Sequence, residues 1–295
     1  MALPRGVPTQ RDAFRDDTIP SAIDRAIAGD RPPLVDKLRR ASGLPGIRPN
    51  EGLLRAWASE AARRGQAIDP LLTAMVATRE DVAPYGHVDE ILPILGVAGL
   101  GARAGADAKV REKLLEQLEE ASCDPRFRVR DEVARALATM CRTLGHELVP
   151  TLLRWLDDEQ PFLARAATSA LADREALAAL DAEDTASLAD RALARVEREH
   201  RAGRRHAAYR DLCRALPATL VAMVLRHPGV AEALVAWSRR EDEDARAALA
   251  EAAKALSKGA QSARGVAIAS ALVETEKKPR DPRHGRPGMR GRGKR

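Results

Sequence analysis

Three stretches of this chain hold residue types at spacings that could do chemistry. Gly99, Gly101 and Ala104 form a G-x-G-x-x-A run behind an apolar stretch that starts at Ile91. In a dinucleotide-binding fold such glycines admit a pyrophosphate to a helix N-terminus. Pro93 interrupts the would-be strand, and no further strands are readable to complete a sheet. The run therefore reads as a buried helix with small residues where its neighbours approach, and no cofactor is expected. Trp155, Asp157 and Asp158 set an indole beside carboxylates, and Trp237 with Glu241 to Asp244 repeats the arrangement. Residues 191–214 hold eight arginines against Glu197, Glu199 and Asp211. Arg191, Arg195 and Arg198 fall at i, i+4 and i+7, one helical face that could bind phosphate or an acidic partner. A solvated face compensated by Glu197 and Glu199 is the plainer reading.

Other chemistry is not readable. The six histidines include no zinc-ligand spacing. Cys123, Cys141 and Cys213 form no C-x-x-C pair and read as buried thiols in a reducing compartment. No Ser/His/Asp or Cys/His arrangement stands out, so catalysis is left open and the expectation inclines against it. The N-terminus lacks the apolar core of a signal peptide, and no segment approaches the roughly 20 apolar residues of a membrane span. A cytoplasmic protein is expected.

The elements that must position these residues are helices. Ala, Leu, Arg and Glu dominate, aromatics make up only 3% of the chain, and β-branched runs are nearly absent. Hydrophobic spacing predicts helices over Glu51–Arg64, from Asp69 to about Thr78, and then approximately over His87–Ala104, Asp107–Ala121, Pro125–Leu144, Glu147–Leu156 and Pro161–Ala172. Further helices are predicted over 175–200, 204–215, 217–226, 229–239, 242–257 and 260–274. Short helices at Ser21 and from Pro32 to about Arg40 precede a turn-rich break. The chain thus divides into a segment with short helices at 1–49, a helical array over 50–275, and a tail at 276–295.

The array repeats itself. Val129, Arg130, Val133, Ala134, Ala136 and Leu137 reappear 116 residues on as Ala245, Arg246, Leu249, Ala250, Ala252 and Ala253. Thirty-four residues on they appear as Leu163, Ala164, Ala167, Thr168, Ala170 and Leu171, with the arginine displaced to Arg165. Leu114, Leu115 and Leu118 likewise match Leu152, Leu153 and Leu156. Asp124-Pro125, then Val129-Arg130, then Val133-Ala134 resembles the signature of HEAT repeats, best over 107–172 and 228–256. The stretch 175–215 departs from it. The resemblance implies an all-α, right-handed α-solenoid of antiparallel helix pairs, in which each pair buries the leucine face of the next. It also implies a scaffold or adaptor that binds a protein partner on its concave face, lined by one helix of each pair. Asp124 would cap the second helix, and Arg130 would reach a carboxylate or carbonyl of the adjacent unit. Some HEAT-like DNA glycosylases hold alkylated bases with tryptophans and an aspartate, which makes Trp155 and Asp158 a distant alternative. Such enzymes need several aromatics and a basic groove.

Charge argues against a basic groove. The chain is +6 overall, but residues 277–295 carry nine Lys/Arg and one acid, hence +8, which leaves −2 for residues 1–276. The cations are Lys277, Lys278, Arg280, Arg283, Arg286, Arg290, Arg292, Lys294 and Arg295. Proline, glycine and charge predict a disordered tail. Without Phe, Tyr or Trp it cannot stack bases, so its expected partners are polyanions met through salt-sensitive attraction, RNA or DNA among them. Nucleic-acid association through the tail and the 191–214 arginines is the alternative to a protein scaffold.

Overall fold

The computed structural model describes residues 18–276, and all their regular structure is helical. The helices are α1 (Thr18–Ile27), α2 (Pro32–Ala41), α3 (Glu51–Arg64), α4 (Asp69–Val76), α5 (Ile91–Ala106), α6 (Arg111–Ser122), α7 (Phe127–Leu144) and α8 (Val149–Asp157). They continue with α9 (Pro161–Ala170), α10 (Arg174–Ala178), α11 (Ala182–Arg198), α12 (Ala207–Arg226), α13 (Val230–Trp237), α14 (Glu243–Leu256) and α15 (Ser262–Glu276). Residues 1–17 and the tail cations from Lys277 to Arg295 lie outside the described residues.

Most boundaries follow local chemistry. Asn50 caps α3 by accepting from the amides of Gly52 and Leu53 at 3.0 and 3.2 Å. Pro70 stands in the first turn of α4 and Pro32 in that of α2, where a missing N–H costs nothing. Three expectations change. The stretch 175–200 is two helices, because Asp173 caps α10 and Asp181 caps α11 through the amide of Asp184. The predicted helices at 204–215 and 217–226 are one, with Pro217 inside α12. Pro217 removes one backbone donor, and the buried face of Leu212, Leu216, Leu220 and Met223 runs straight across it. Asp124 does not cap α7, which begins at Phe127. Its carboxylate instead grips Arg126, taking the backbone amide and two guanidinium bonds at 2.8, 2.8 and 2.6 Å.

Two series of helices run side by side. In one, α3, α5, α7, α9, α12 and α14 each pack on the next. In the other, α8, α11, α13 and α15 do so. α4 and α6 are joined by a Thr73–Gln117 hydrogen bond, and α6 is joined to α8 by one from Trp155 to Glu119, both 2.9 Å. The hydrophobic core is continuous and includes Ile23, Leu34 and Leu38 of α1 and α2. The boundary near Asn50 therefore divides no core.

α5 sits at the centre of its neighbourhood, against α3, α4, α6 and α7. It can do so because it carries glycines where they touch. A Cβ on Gly96 would lie 2.7 Å from the Val76 backbone, one on Gly99 2.4 Å from Leu72, and one on Gly101 2.5 Å from the Ala136 Cβ. The G-x-G-x-x-A run is thus mid-helix packing, with no free helix N-terminus to meet a phosphate. Its one charged side chain, Arg103, is buried and bonds Asp69 at 2.8 Å and Asp107 at 3.2 Å. Gly101→Ala should destabilise the protein by about 1–3 kcal/mol, since overpacking outweighs the gain in helix propensity. Gly105→Ala, whose new Cβ would meet only Met140 and Thr143 at 3.7–3.8 Å, should stabilise by about 0.5–1 kcal/mol. Urea unfolding of the two variants checks the contrast.

Candidate functional site: a charged groove over α5

A groove of about 570 Å³ is lined by α3, α5, α7 and α9, together with Asp173. Its apolar floor is made by Leu54, Ala98, Ala134 and Ala138, all buried. Small side chains there follow from the close packing of α5 between α3 and α7. The walls alternate in sign. Arg165 pairs with Asp131 across α9 and α7, and Arg142 bridges to Asp173 at 3.5 Å and Glu175 at 3.1 Å. Among the described residues Arg55 meets the Glu51 carbonyl, at 3.4 Å, and no carboxylate.

Glu132 is the chemically unusual member. It faces the groove from α7 yet is almost wholly buried, with one ion pair to half-exposed Arg135 at 3.2 Å. Burial pushes its carboxyl up to about 7, with Asp131 and Glu51 adding to the rise and Arg135 opposing it. Nothing nearby has the partners of a nucleophile or a metal ligand, and among the described residues no group of three or more His, Cys, Asp or Glu could hold a metal ion.

A second surface adjoins the groove. Ile47, Val82, Tyr85 and Phe127 are 43–90% exposed, and the Tyr85 and Phe127 rings are tilted by 47° to each other with centroids 5.0 Å apart. Tyr85 and Phe127 gather around the Arg128 guanidinium, which lies 4.8 Å from the Tyr85 ring and 5.7 Å from that of Phe127. Arg128 also donates to the carbonyls of Gly46 and Ile47, at 3.0 and 3.2 Å, and to fully buried Glu90 at 2.7 Å. Glu90 in turn accepts from the Gly86 amide at 2.9 Å. Two loops and the start of α7 are thereby fastened to one buried ion pair. The hollow beside Phe127 shares Asp131 and Arg165 with the groove. Sequence reasoning missed this patch, because Ile47, Val82 and Tyr85 lie in turn-rich segments with no periodicity. The only signal was an arginine two residues into a helix that begins with an aromatic.

The arginines singled out in 191–214 are mostly used internally. Arg191 and Arg198 converge on Asp157 at 3.0 and 2.7 Å. Arg195 does not share their exposed face. It is buried, bonding Glu199 at 2.8 Å and the carbonyls of Asp158 and Glu159 at 3.1 and 3.2 Å. Arg204 holds Asp242 and Asp244, and Arg214 holds Asp211. Arg201, Arg205 and Arg210 are the exposed members without a carboxylate partner among the described residues.

The tryptophans are structural. Trp155 and Trp237 are buried and donate their Nε1 protons to Glu119 and Asp190 at 2.9 and 2.7 Å. Asp158 is exposed and accepts from the Gln160 amide at 2.7 Å. No indole faces a cleft in which a base could stack. Arg130 bonds the carbonyls of Asp124 and Pro125 in its own loop and lies 4.9 Å over the Phe162 ring of the next helix. Of the cysteines only Cys141 is fully buried, its thiol pushed up to about 11 by burial, while Cys123 is exposed.

These features define an all-helical protein with a charged groove and an adjacent aromatic patch. In comparisons with known proteins, no family model, no curated protein and no solved structure matches this chain. No helix among the described residues is long and apolar enough to cross a membrane.

The groove carboxyl makes a pH prediction. Glu132 has a higher pKa folded than unfolded, so folding retains its proton, and the stability it contributes falls as pH rises from about 4.5 to about 7. His146, raised by its bond to Asp184, loses its contribution in the same direction, so wild type must be compared with a variant. Glu132→Gln should be near neutral at pH 4.5 and more stable than wild type at pH 8, by up to about 3 kcal/mol. Denaturant titrations at both pH values measure it.

Proposed function

We propose that this protein is a non-catalytic helical-repeat scaffold, an α-solenoid of the HEAT type, which receives a segment of a protein partner in the groove over α5. The groove with the aromatic patch at its margin carries the reading. A small-residue floor admits a helix or extended segment, alternating charges on the walls select its register, and Tyr85, Phe127 and Arg128 are the residue types that anchor interfaces. The groove is lined from one of the two helix series, as a concave face would be.

The repeat reading rests on a ladder of side-chain contacts. Arg103–Asp69, Trp155–Glu119, Arg165–Asp131, Arg191–Asp157 and Tyr209–Asp244 each join residues 34 to 36 positions apart. Units of about that length, each touching the next, account for the spacing. Right-handed stacking of antiparallel pairs belongs to the same proposal, as does a cytoplasmic location.

Nucleic-acid association is the weaker reading, because most arginines of 191–214 are already matched by carboxylates. Binding of mixed RNA and duplex DNA by full-length protein and by a 1–276 truncation, across about 50–300 mM salt, separates the two. Salt-sensitive binding lost with the tail leaves the scaffold reading intact, whereas salt-sensitive binding by the truncation overturns it. The groove is tested by Arg55→Glu/Arg142→Glu, a reversal of two exposed walls. Proteins captured by wild type from native extract should be depleted at least tenfold by this variant, with unchanged circular dichroism. An unchanged capture profile would move the binding face elsewhere.

A further inference from the structure

Glu132 lines the groove over α5 although only 5% of its surface is exposed. A carboxyl taken that far out of water needs donors for both of its oxygens. Oε2 has one, Arg135 Nη1 at 3.2 Å. Oε1 receives no hydrogen bond from any described residue, and unlike Glu90 Oε1 it is not sealed inside the protein. The groove is the side on which it is open.

The charges facing Glu132 around the groove leave that oxygen short of a cation. α3 contributes Glu51 and Arg55, α7 contributes Asp131 and Arg135, α9 contributes Arg165, and α5 contributes no charge. Arg165 is taken by Asp131, and Arg55 is turned to the Glu51 carbonyl. Arg142 lies about 15 Å farther along α7 and pairs with Asp173 and Glu175. Among the described residues Arg135 is the cation that touches Glu132, and its own side chain is 49% exposed. Asp131 and Glu51 both oppose ionisation of Glu132. Beside these carboxyls the floor of Leu54, Ala98 and Ala134 is apolar and low. Such a surface suits the methylene stem of a long charged side chain.

We propose that the groove takes a cationic side chain, a lysine ammonium or an arginine guanidinium, which donates to Glu132 Oε1 while its stem lies on the apolar floor. The alternatives fit less well. An apolar side chain seated there cuts Oε1 off from water and supplies no donor, and an acidic one meets the carboxyls of Glu51, Asp131 and Glu132. That the cation belongs to a segment of a protein partner rests on the scaffold proposal. The cation site itself rests on Glu132 and its neighbours. A cation at Oε1 favours the charged carboxylate, so its binding expels the proton that burial retains. Its affinity rises about tenfold from pH 6 to 8, across the Glu132 midpoint of about 7.

The test is an NMR pH titration of the full chain, labelled at its glutamate carboxyl carbons. It is run in about 100 mM n-butylammonium or n-butylguanidinium chloride and in sodium chloride of the same ionic strength. The Glu132 signal is the one missing from Glu132→Gln. The expected result is a Glu132 midpoint lower in either alkyl cation than in sodium chloride by at least about 0.5 unit, with no comparable shift at the exposed glutamates. Glu51→Gln, a change at an exposed position, should at least halve the shift. A midpoint indifferent to the alkyl cations, or a shift shared equally by all glutamates, would overturn the cation site. The two proposals fail separately. Captured proteins lost from Arg55→Glu/Arg142→Glu, with no alkyl-cation shift at Glu132, leave the partner groove and remove the cation. A shift confined to Glu132, with no protein captured, leaves the cation site and removes the scaffold.

Discussion

The packing of α5 is the constraint on which the rest of this structure depends. A helix enclosed by four others must present almost no polar side chain and must let its neighbours close to backbone distance. Its glycines meet that demand against Val76, Leu72 and Ala136. Glycine inside a helix costs roughly 1 kcal/mol relative to alanine, and here the loss is offset by contact among α3, α4 and α7. The same economy of side-chain volume makes the floor of the groove, which α5 lines with Ala98. Arg103 is the exception that the packing tolerates, because Asp69 and Asp107 both meet it.

Arginine does the work between loops that aromatics do in many cores. Arg126 ties the start of α7 to the carbonyls of Thr78 and Ala83. Arg128 gathers two further carbonyls and Glu90, Arg195 clasps the loop between α8 and α9, and Arg204 spans to Asp242 and Asp244. Guanidinium suits the task, because its planar fork satisfies several acceptors at once and remains charged. A buried ion pair of this kind adds little net stability compared with well-packed apolar groups, yet breaking one partner is costly. These arginines fix where loops sit rather than drive the fold. Their use inside the molecule also explains how a chain so rich in arginine has a nearly neutral body.

Residual surface is where function enters. Few large apolar side chains are left exposed, and they are not scattered. Among the described residues, Ile47, Tyr85 and Phe127 lie at a pinned guanidinium beside the groove, while Val266 and Val273 lie on α15 and Leu225 on α12. Scattered exposed leucines need no explanation, whereas gathered ones at the edges of a well-packed body mark contacts with other molecules.

Much of the architecture was legible in the sequence, for a physical reason. Helix propensity and 3.6-residue hydrophobic spacing act over a few residues, so they can be read locally, whereas the caps at Asp173 and Asp181 that split 175–200 into two helices were missed. All-helical structure and most helix limits follow from them. Pro217 shows where local reading stops, because the apolar face on either side of it overrides the lost backbone bond. The fates of the charged residues could not be read. Arg191, Arg195 and Arg198 share a spacing, yet only the tertiary structure decides that Arg195 is buried on carbonyls while its neighbours converge on Asp157. The same holds for Glu132, whose raised pKa comes from desolvation by helices distant in sequence, and for Ile47, Tyr85 and Phe127, brought together by one guanidinium. Propensity and periodicity are properties of a segment. Burial, ion pairing and the shape of a groove are properties of what the segment is packed against, and those belong to the fold alone.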